Sequence, residues 1–150
     1  MLLLLFYVGD YCYGLLGKRV IEVISLVELK KIAQAPQYVA GLLNYRGKII
    51  PIIDLCQLLA GNPCSSQLST RIIVVNYRSD EQTPYLLGLI AERITDTLNV
   101  PENDVDSGTQ LNTEPYLGNI IMNGQNIIQY IHVESILSES QRRYLLLKSE

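Results

Sequence analysis

Apolar residues along the chain come in short runs separated by glycine-containing or polar breaks, the spacing of strands rather than of long helices. Leu2 to Val8 is the first run. Gly9-Asp10 interrupts it and Tyr11 to Leu16 resumes it, which predicts a β-hairpin. Arg19 to Leu26, RVIEVISL, is strongly β-branched and predicts a strand with one carboxylate, Glu22, set inside it. Ala35 to Val39 reads as a short turn of helix, with Pro36 at its first position and Gly41 closing it. Leu42-Leu43 and Ile49 to Ile53 read as two strands flanking a five-residue polar connection, Asn44 to Lys48. Asp54 is then placed to cap a helix over residues 55–59, which Gly61-Asn62-Pro63 ends before a polar loop, NPCSSQLS.

Thr70 to Tyr77 and Tyr85 to Ile90 are expected to pair across a charged turn, residues 78–84. Thr95 to Val100 alternates moderately, and residues 101–113 form a polar, acidic connection. Ile120 to Met122 and Ile127 to Ile131 flank Asn123-Gly124-Gln125; Asn-Gly predicts a hairpin whose two turn residues both take positive φ. The tail, Val133 to Leu147, has helical spacing and predicts a C-terminal helix. About nine short strands in hairpins point to a sandwich or barrel, and the absence of βαβ alternation argues against a parallel nucleotide-binding sheet. No internal repeat is evident.

Composition narrows the function. The 150 residues include ten Tyr, one Phe and no Trp, and branched aliphatics dominate, which favours strands. The net charge is −3 and no stretch concentrates Lys or Arg, so a nucleic-acid partner is not expected. MLLLLFYV lacks the basic start of a signal peptide and is too short for a membrane helix, so a buried first strand and a cytoplasmic protein without membrane insertion are expected. Cys12, Cys56 and Cys64 contain no C-x-x-C pair, and three reduced thiols with no metal site and no cofactor are the expectation.

The polar connection poses the sharpest question. Gly41 and Gly47-Lys48 suggest a phosphate loop, but five residues separate the glycines and Ile49 stands where a metal-binding hydroxyl is required. A hairpin turn explains Gly47 instead, and Pro51 should sit where no ladder donor is needed. Arg46 is left over. It wants a carboxylate, and Glu22 wants a cation; either the two meet, or both lie on solvated strand faces and never do. A thiol hydrolase using Cys56 with His132 is a competing class, although Asp54 would oppose thiolate formation. His132 and Glu134, two residues apart, would not share a helix face. A barrel that stacks oligosaccharides or bases on tyrosines is a third class, which the acidic balance disfavours.

VIEVI (20–24), APQYVAGLLNYRGKIIPIIDL (35–55), TRIIVVNY (70–77), LLGLIAERI (86–94) and IIQYIHVESIL (127–137), in that order, resemble the CheW-like family of chemotaxis coupling proteins. The most specific stretch, Gly-x-x-Asn-x-Arg-Gly-x-x-x-Pro-x-x-Asp, is matched by Gly41, Asn44, Arg46, Gly47, Pro51 and Asp54. The resemblance implies a mainly all-β fold of two small SH3-like five-stranded barrels packed together as one domain over residues 1–150. It also implies a non-catalytic adaptor that binds the regulatory domain of a histidine kinase and the cytoplasmic tip of a chemoreceptor coiled coil. Glu22, Gly41, Asn44, Arg46 and Gly47 become the expected partner-binding residues, with Glu22 and Arg46 near the receptor-facing groove. A twitching-motility or other non-flagellar pathway would use the same fold. Ala91, followed by Glu92, stands where many relatives carry an acidic residue.

Overall fold

The computed structural model describes residues 1–77, 85–103, 114–137 and 141. Within them the chain forms β1 (Leu2–Val8), β2 (Tyr11–Leu16), a 3-10 turn (Gly17–Arg19), β3 (Val20–Ser25), β4 (Val39–Tyr45) and β5 (Lys48–Asp54). There follow α1 (Leu55–Ala60), β6 (Arg71–Asn76), β7 (Leu86–Ala91), β8 (Arg93–Asn99), β9 (Leu117–Asn123), β10 (Asn126–Ile131) and a second 3-10 turn (Val133–Ser135). The expected C-terminal helix lies mostly outside the described residues.

Two five-stranded sheets result, ordered β8-β1-β2-β10-β9 and β3-β6-β7-β5-β4. The N-terminal hairpin belongs to the first sheet, the next five strands build the second, and the chain then returns to complete the first. If the first sheet is read from β8 through β10 and on to β1 and β2, its order and strand directions are those of the second. β2 lies parallel to β10 as β7 does to β5, and the other pairings are antiparallel. The sequence shows no repeat, yet the fold contains one in circularly permuted form. Gly14 faces Tyr130 where Gly88 faces Ile52, so His132 corresponds to Asp54; both precede a helical turn, and of the two only Asp54 caps it with its side chain.

Strand alternation divides the apolar residues among three cores. Leu3, Leu16, Val100, Ile121, Ile128 and Tyr130 fill the first sheet, and Tyr45, Ile50, Ile52, Ile72, Val74 and Ile90 fill the second. The largest core lies between them, where Phe6, Val8 and Leu15 meet Ile53, Ile73, Val75, Leu87 and Leu89. β6 shows how: Ile72 and Val74 point into one core and Ile73 and Val75 into the other, so its run is apolar throughout.

Several local expectations change. Residues 35–38 form turns rather than a helix, and Gly41 lies within β4. Its φ is +151°, and a Cβ there would sit 2.6 Å from the Lys30 carbonyl oxygen. That approach is needed because Lys30 and Leu42 exchange backbone hydrogen bonds of 3.0 and 2.7 Å, which covers the outer edge of β4. The same pairing turns the polar backbone of Leu42 away from Pro51, its neighbour on β5, so the missing proline donor costs the β4–β5 ladder nothing. The connection between β4 and β5 shrinks from five residues to two, Arg46 and Gly47. In the β9–β10 hairpin Asn123 is the last strand residue, and of the turn residues Gly124 and Gln125 only Gly124 has positive φ.

The cysteines overturn a further expectation. Cys56 and Cys64 form a disulfide, and Cys12 is the free thiol. Gly61, left-handed at φ +82°, ends α1 by donating to the Gln57 carbonyl, and Pro63 follows; the chain reverses so that Cys64 returns to the helix it has just left.

Candidate partner-binding site

The hairpin turn places Arg46 and Gly47 at φ +51° and +83°, the pattern of a two-residue turn matched to strand twist. Asn44 supports it: its Oδ1 accepts the Gly47 N–H at 3.0 Å. Arg46 then reaches across the sheet, and its Nη2 donates to Glu22 Oε2 at 2.7 Å. β3 and β4 are the two edges of the second sheet, so this ion pair draws those edges together. Along β3 the side chains of Ile21 and Val23 face outward while Glu22 and Ile24 turn toward the second core. Glu22 therefore sits at the mouth of that core. This is why a carboxylate interrupts a β-branched run.

The pair is half open to solvent, with Arg46 exposed over 69% of its side chain and Glu22 over 33%. The guanidinium lies 5.2 Å from the ring centroid of Tyr45, whose side chain is buried beneath it. Burial and the adjacent Glu22 carboxylate push the Tyr45 hydroxyl above its usual range. The arrangement holds a cation at a fixed point on the surface, with a buried aromatic ring below it; Ile21 and Val23, on either side of Glu22 in β3, are exposed. Glu22, Asn44, Arg46 and Gly47 thus come together. Gly41 does not join them; it is buried in β4 beneath Lys30.

No thiol–imidazole pair is assembled among the described residues. The Cys56 sulfur is bonded to Cys64, and burial pushes the Cys12 thiol up. His132 Nδ1 lies 3.2 Å from Glu134 Oε1; the two do not share a helix face, because His132 is extended and only precedes the helical turn, but their side chains meet all the same. Burial would raise the Glu134 carboxyl, but the bond to His132, its own backbone N–H and the Arg19 guanidinium, 3.8 Å away, hold it below the usual range. Asp54, Cys56 and Cys64 place ligand atoms within 4.8 Å of one another. Both sulfurs are spent on the disulfide, however, and the carboxylate is committed to backbone N–H groups.

Two features escaped the sequence reading. Glu92, at the β7–β8 corner, accepts bonds from the Ser65 hydroxyl and backbone N–H and from Gly9, so it ties together the two sheets and the loop after α1. Those bonds hold its carboxyl below the usual range against the effect of burial. The second is an exposed apolar face on the first sheet, made by Ile120, Met122 and Ile127 with Tyr11. It borders a groove of about 460 Å³ shared with Tyr7 and Tyr13. The signal was present in β9, where Ile120 and Met122 alternate with buried Ile121, but a continuous apolar run hides such alternation.

Residues 2–141 match the CheW-like domain family. The chain belongs to that family. It is 27% identical over 142 residues to the chemotaxis protein CheW of Klebsiella aerogenes, covering 92% of this chain and 82% of the relative. FrzA of Myxococcus xanthus is 25% identical, covering 92% and 86%. The crystal structure of the scaffolding protein TtCheW from Thermoanaerobacter tengcongensis superposes with a TM-score of 0.74 at 26% identity, covering 87% of this chain and 82% of that one. This CheW-like protein is a non-catalytic chemotaxis coupling adaptor, and its two five-stranded sheets are the CheW scaffold. No helix among the described residues is long and apolar enough to cross a membrane.

Proposed function

We propose that this protein couples chemoreceptors to a chemotaxis-type histidine kinase by binding the kinase's regulatory domain and the receptor's cytoplasmic tip at separate surfaces. The observation that carries the reading is the Arg46 turn. A largely exposed guanidinium is fixed by Glu22 and the Asn44-supported turn, and Ile21 and Val23, which flank Glu22 along β3, are exposed as well; this suits a receptor helix presenting apolar and acidic positions. The apolar face of β9 and β10 offers the kinase a separate aliphatic surface, and one sheet of the adaptor would pack there against a homologous sheet of the kinase. In this reading the chain is one cytoplasmic domain of two interleaved barrel subdomains, associated with receptor arrays through its partners. The same fold would equally serve a twitching-motility or other non-flagellar pathway with a different receptor.

Calorimetric titration with the regulatory domain of a CheW-coupled kinase from the same genome tests the kinase arm. Saturable one-to-one binding with a negative heat-capacity change is expected, because apolar burial produces that change. Failure to bind every such domain would remove the kinase from the proposal.

A further inference from the structure

The disulfide sits in a setting that serves both of its redox states. Cys56 is buried in the first turn of α1, and Cys64 is more open. The Asp54 carboxylate caps α1 through the Gln57 N–H and also accepts the Cys64 N–H at 3.0 and 3.2 Å. These bonds bring the two cysteine backbones together for pairing, and once the sulfurs part they alone, without the covalent tie, hold Cys64 against α1. The Cys64 sulfur lies 3.6 Å from the Ile90 carbonyl oxygen, an acceptor ready for a thiol S–H. Reduction therefore leaves no stranded polar group at Cys64, and reoxidation needs no search for the partner sulfur.

The residues beyond Cys64 depend on this anchor. Ser65 binds Glu92, and Thr70 Oγ1 bonds to the Ser65 carbonyl and the Gln67 N–H. The loop contributes Ser66, Gln67 and Leu68 to one wall of a surface groove whose other wall is Leu26, Val27 and Glu28; Leu68 is 95% exposed. Few apolar contacts hold this wall, so its order rests on the covalent tie and a handful of polar bonds.

We propose that Cys56 and Cys64 are a reversible dithiol–disulfide latch that sets the order of residues 61–70 and so the shape of this groove. A dithiol reductant delivers two electrons and two protons. Its thiolate attacks the more open Cys64 sulfur and the S–S bond breaks, releasing Cys56 as the thiol. The reductant's second thiol then displaces Cys64, leaving two protein thiols and an oxidised reductant disulfide. A small-molecule disulfide reverses each step. The latch stands independently of the coupling role, since it concerns the loop whatever partner is bound.

Wild-type protein equilibrated in graded mixtures of reduced and oxidised dithiothreitol provides the test, read by thiol alkylation with mass spectrometry and by amide hydrogen exchange. Cys56 and Cys64 are expected to gain and lose label together as a two-electron couple, with Cys12 labelled once the protein is unfolded in every mixture. Exchange at Cys64, Ser65 and Thr70 should quicken about tenfold or more on reduction while β5 and β7 keep their protection. Cys64→Ser should show the fast pattern in every mixture. Independent labelling of the two cysteines, or equal exchange of residues 61–70 in both states, would overturn the latch.

Discussion

Arg46 occupies a left-handed backbone position, φ +51°, that glycine adopts more easily. Strain of this kind costs on the order of 1–3 kcal/mol. The bond to Glu22 joins groups that are respectively mostly exposed and about one-third exposed, and such pairs return only about 0.2–1 kcal/mol. Stability therefore does not account for an arginine here, which supports its proposed place at the partner surface. Arg46→Gly is expected to keep or slightly raise the melting temperature while receptor-tip affinity falls about tenfold or more, roughly 1.4 kcal/mol. Glu22→Ala should weaken receptor binding as well, by releasing the guanidinium, with a stability change within about 1 kcal/mol. Thermal unfolding beside titration of a receptor-tip fragment reads both quantities. Unchanged receptor affinity in both variants would remove this pair from the partner site. The pairing itself was visible in the sequence only as two unexplained charges, because strand spacing does not say which sheet edges curl together.

Elements form here where local chemistry and tertiary demand agree, and were misread where only the second was acting. α1 was legible because Asp54 and Gly61 bracket it, and the fold uses both as expected: the Asp54 carboxylate accepts from Gln57, and Gly61 closes the last turn. Asp54→Ala is expected to cost about 0.5–2 kcal/mol in chemical denaturation, the usual range for a lost cap, and to loosen Cys64 together with the helix. Gly41 reads as a helix end from sequence because a glycine after an apolar turn is the commonest such signal. Its actual demand comes from Lys30, eleven residues earlier in the chain, whose backbone crowds the position to within 2.6 Å of any Cβ. Local pattern carries no trace of that contact. Gly41→Ala should destabilise by about 1–3 kcal/mol through strain and backbone displacement at the β4 edge. A denaturation midpoint unchanged from wild type would show that the edge strand yields freely.

At the scale of the whole molecule, two sheets of the same topology share one large apolar core, and the chain crosses between them twice. The strand content was legible from short apolar runs, but the permuted repeat was not, because the second sheet uses five consecutive strands and the first joins strands from both ends of the chain. Its disulfide was also hidden, since two cysteines eight residues apart meet only after Gly61 and Pro63 have turned the chain. The junction is clasped at two carboxylates. Glu92 joins the β7–β8 corner to Ser65 and Gly9, and Glu134 joins the end of the first sheet to Arg19, which itself donates to the Asn76 carbonyl of β6. Both carboxyls are held below their usual range in the folded state. A depressed folded pKa means the unfolded chain takes up protons first as pH falls. The stabilisation is present above the ordinary glutamate pKa of about 4.3 and is lost as pH drops below it through the folded values. Glu92→Gln and Glu134→Gln are therefore each expected to be less stable than wild type near neutral pH and to lose stability less steeply between about pH 5 and pH 3. Urea midpoints measured across that window check the sign. Parallel pH curves for wild type and both variants would show that the two clasps contribute nothing to acid sensitivity.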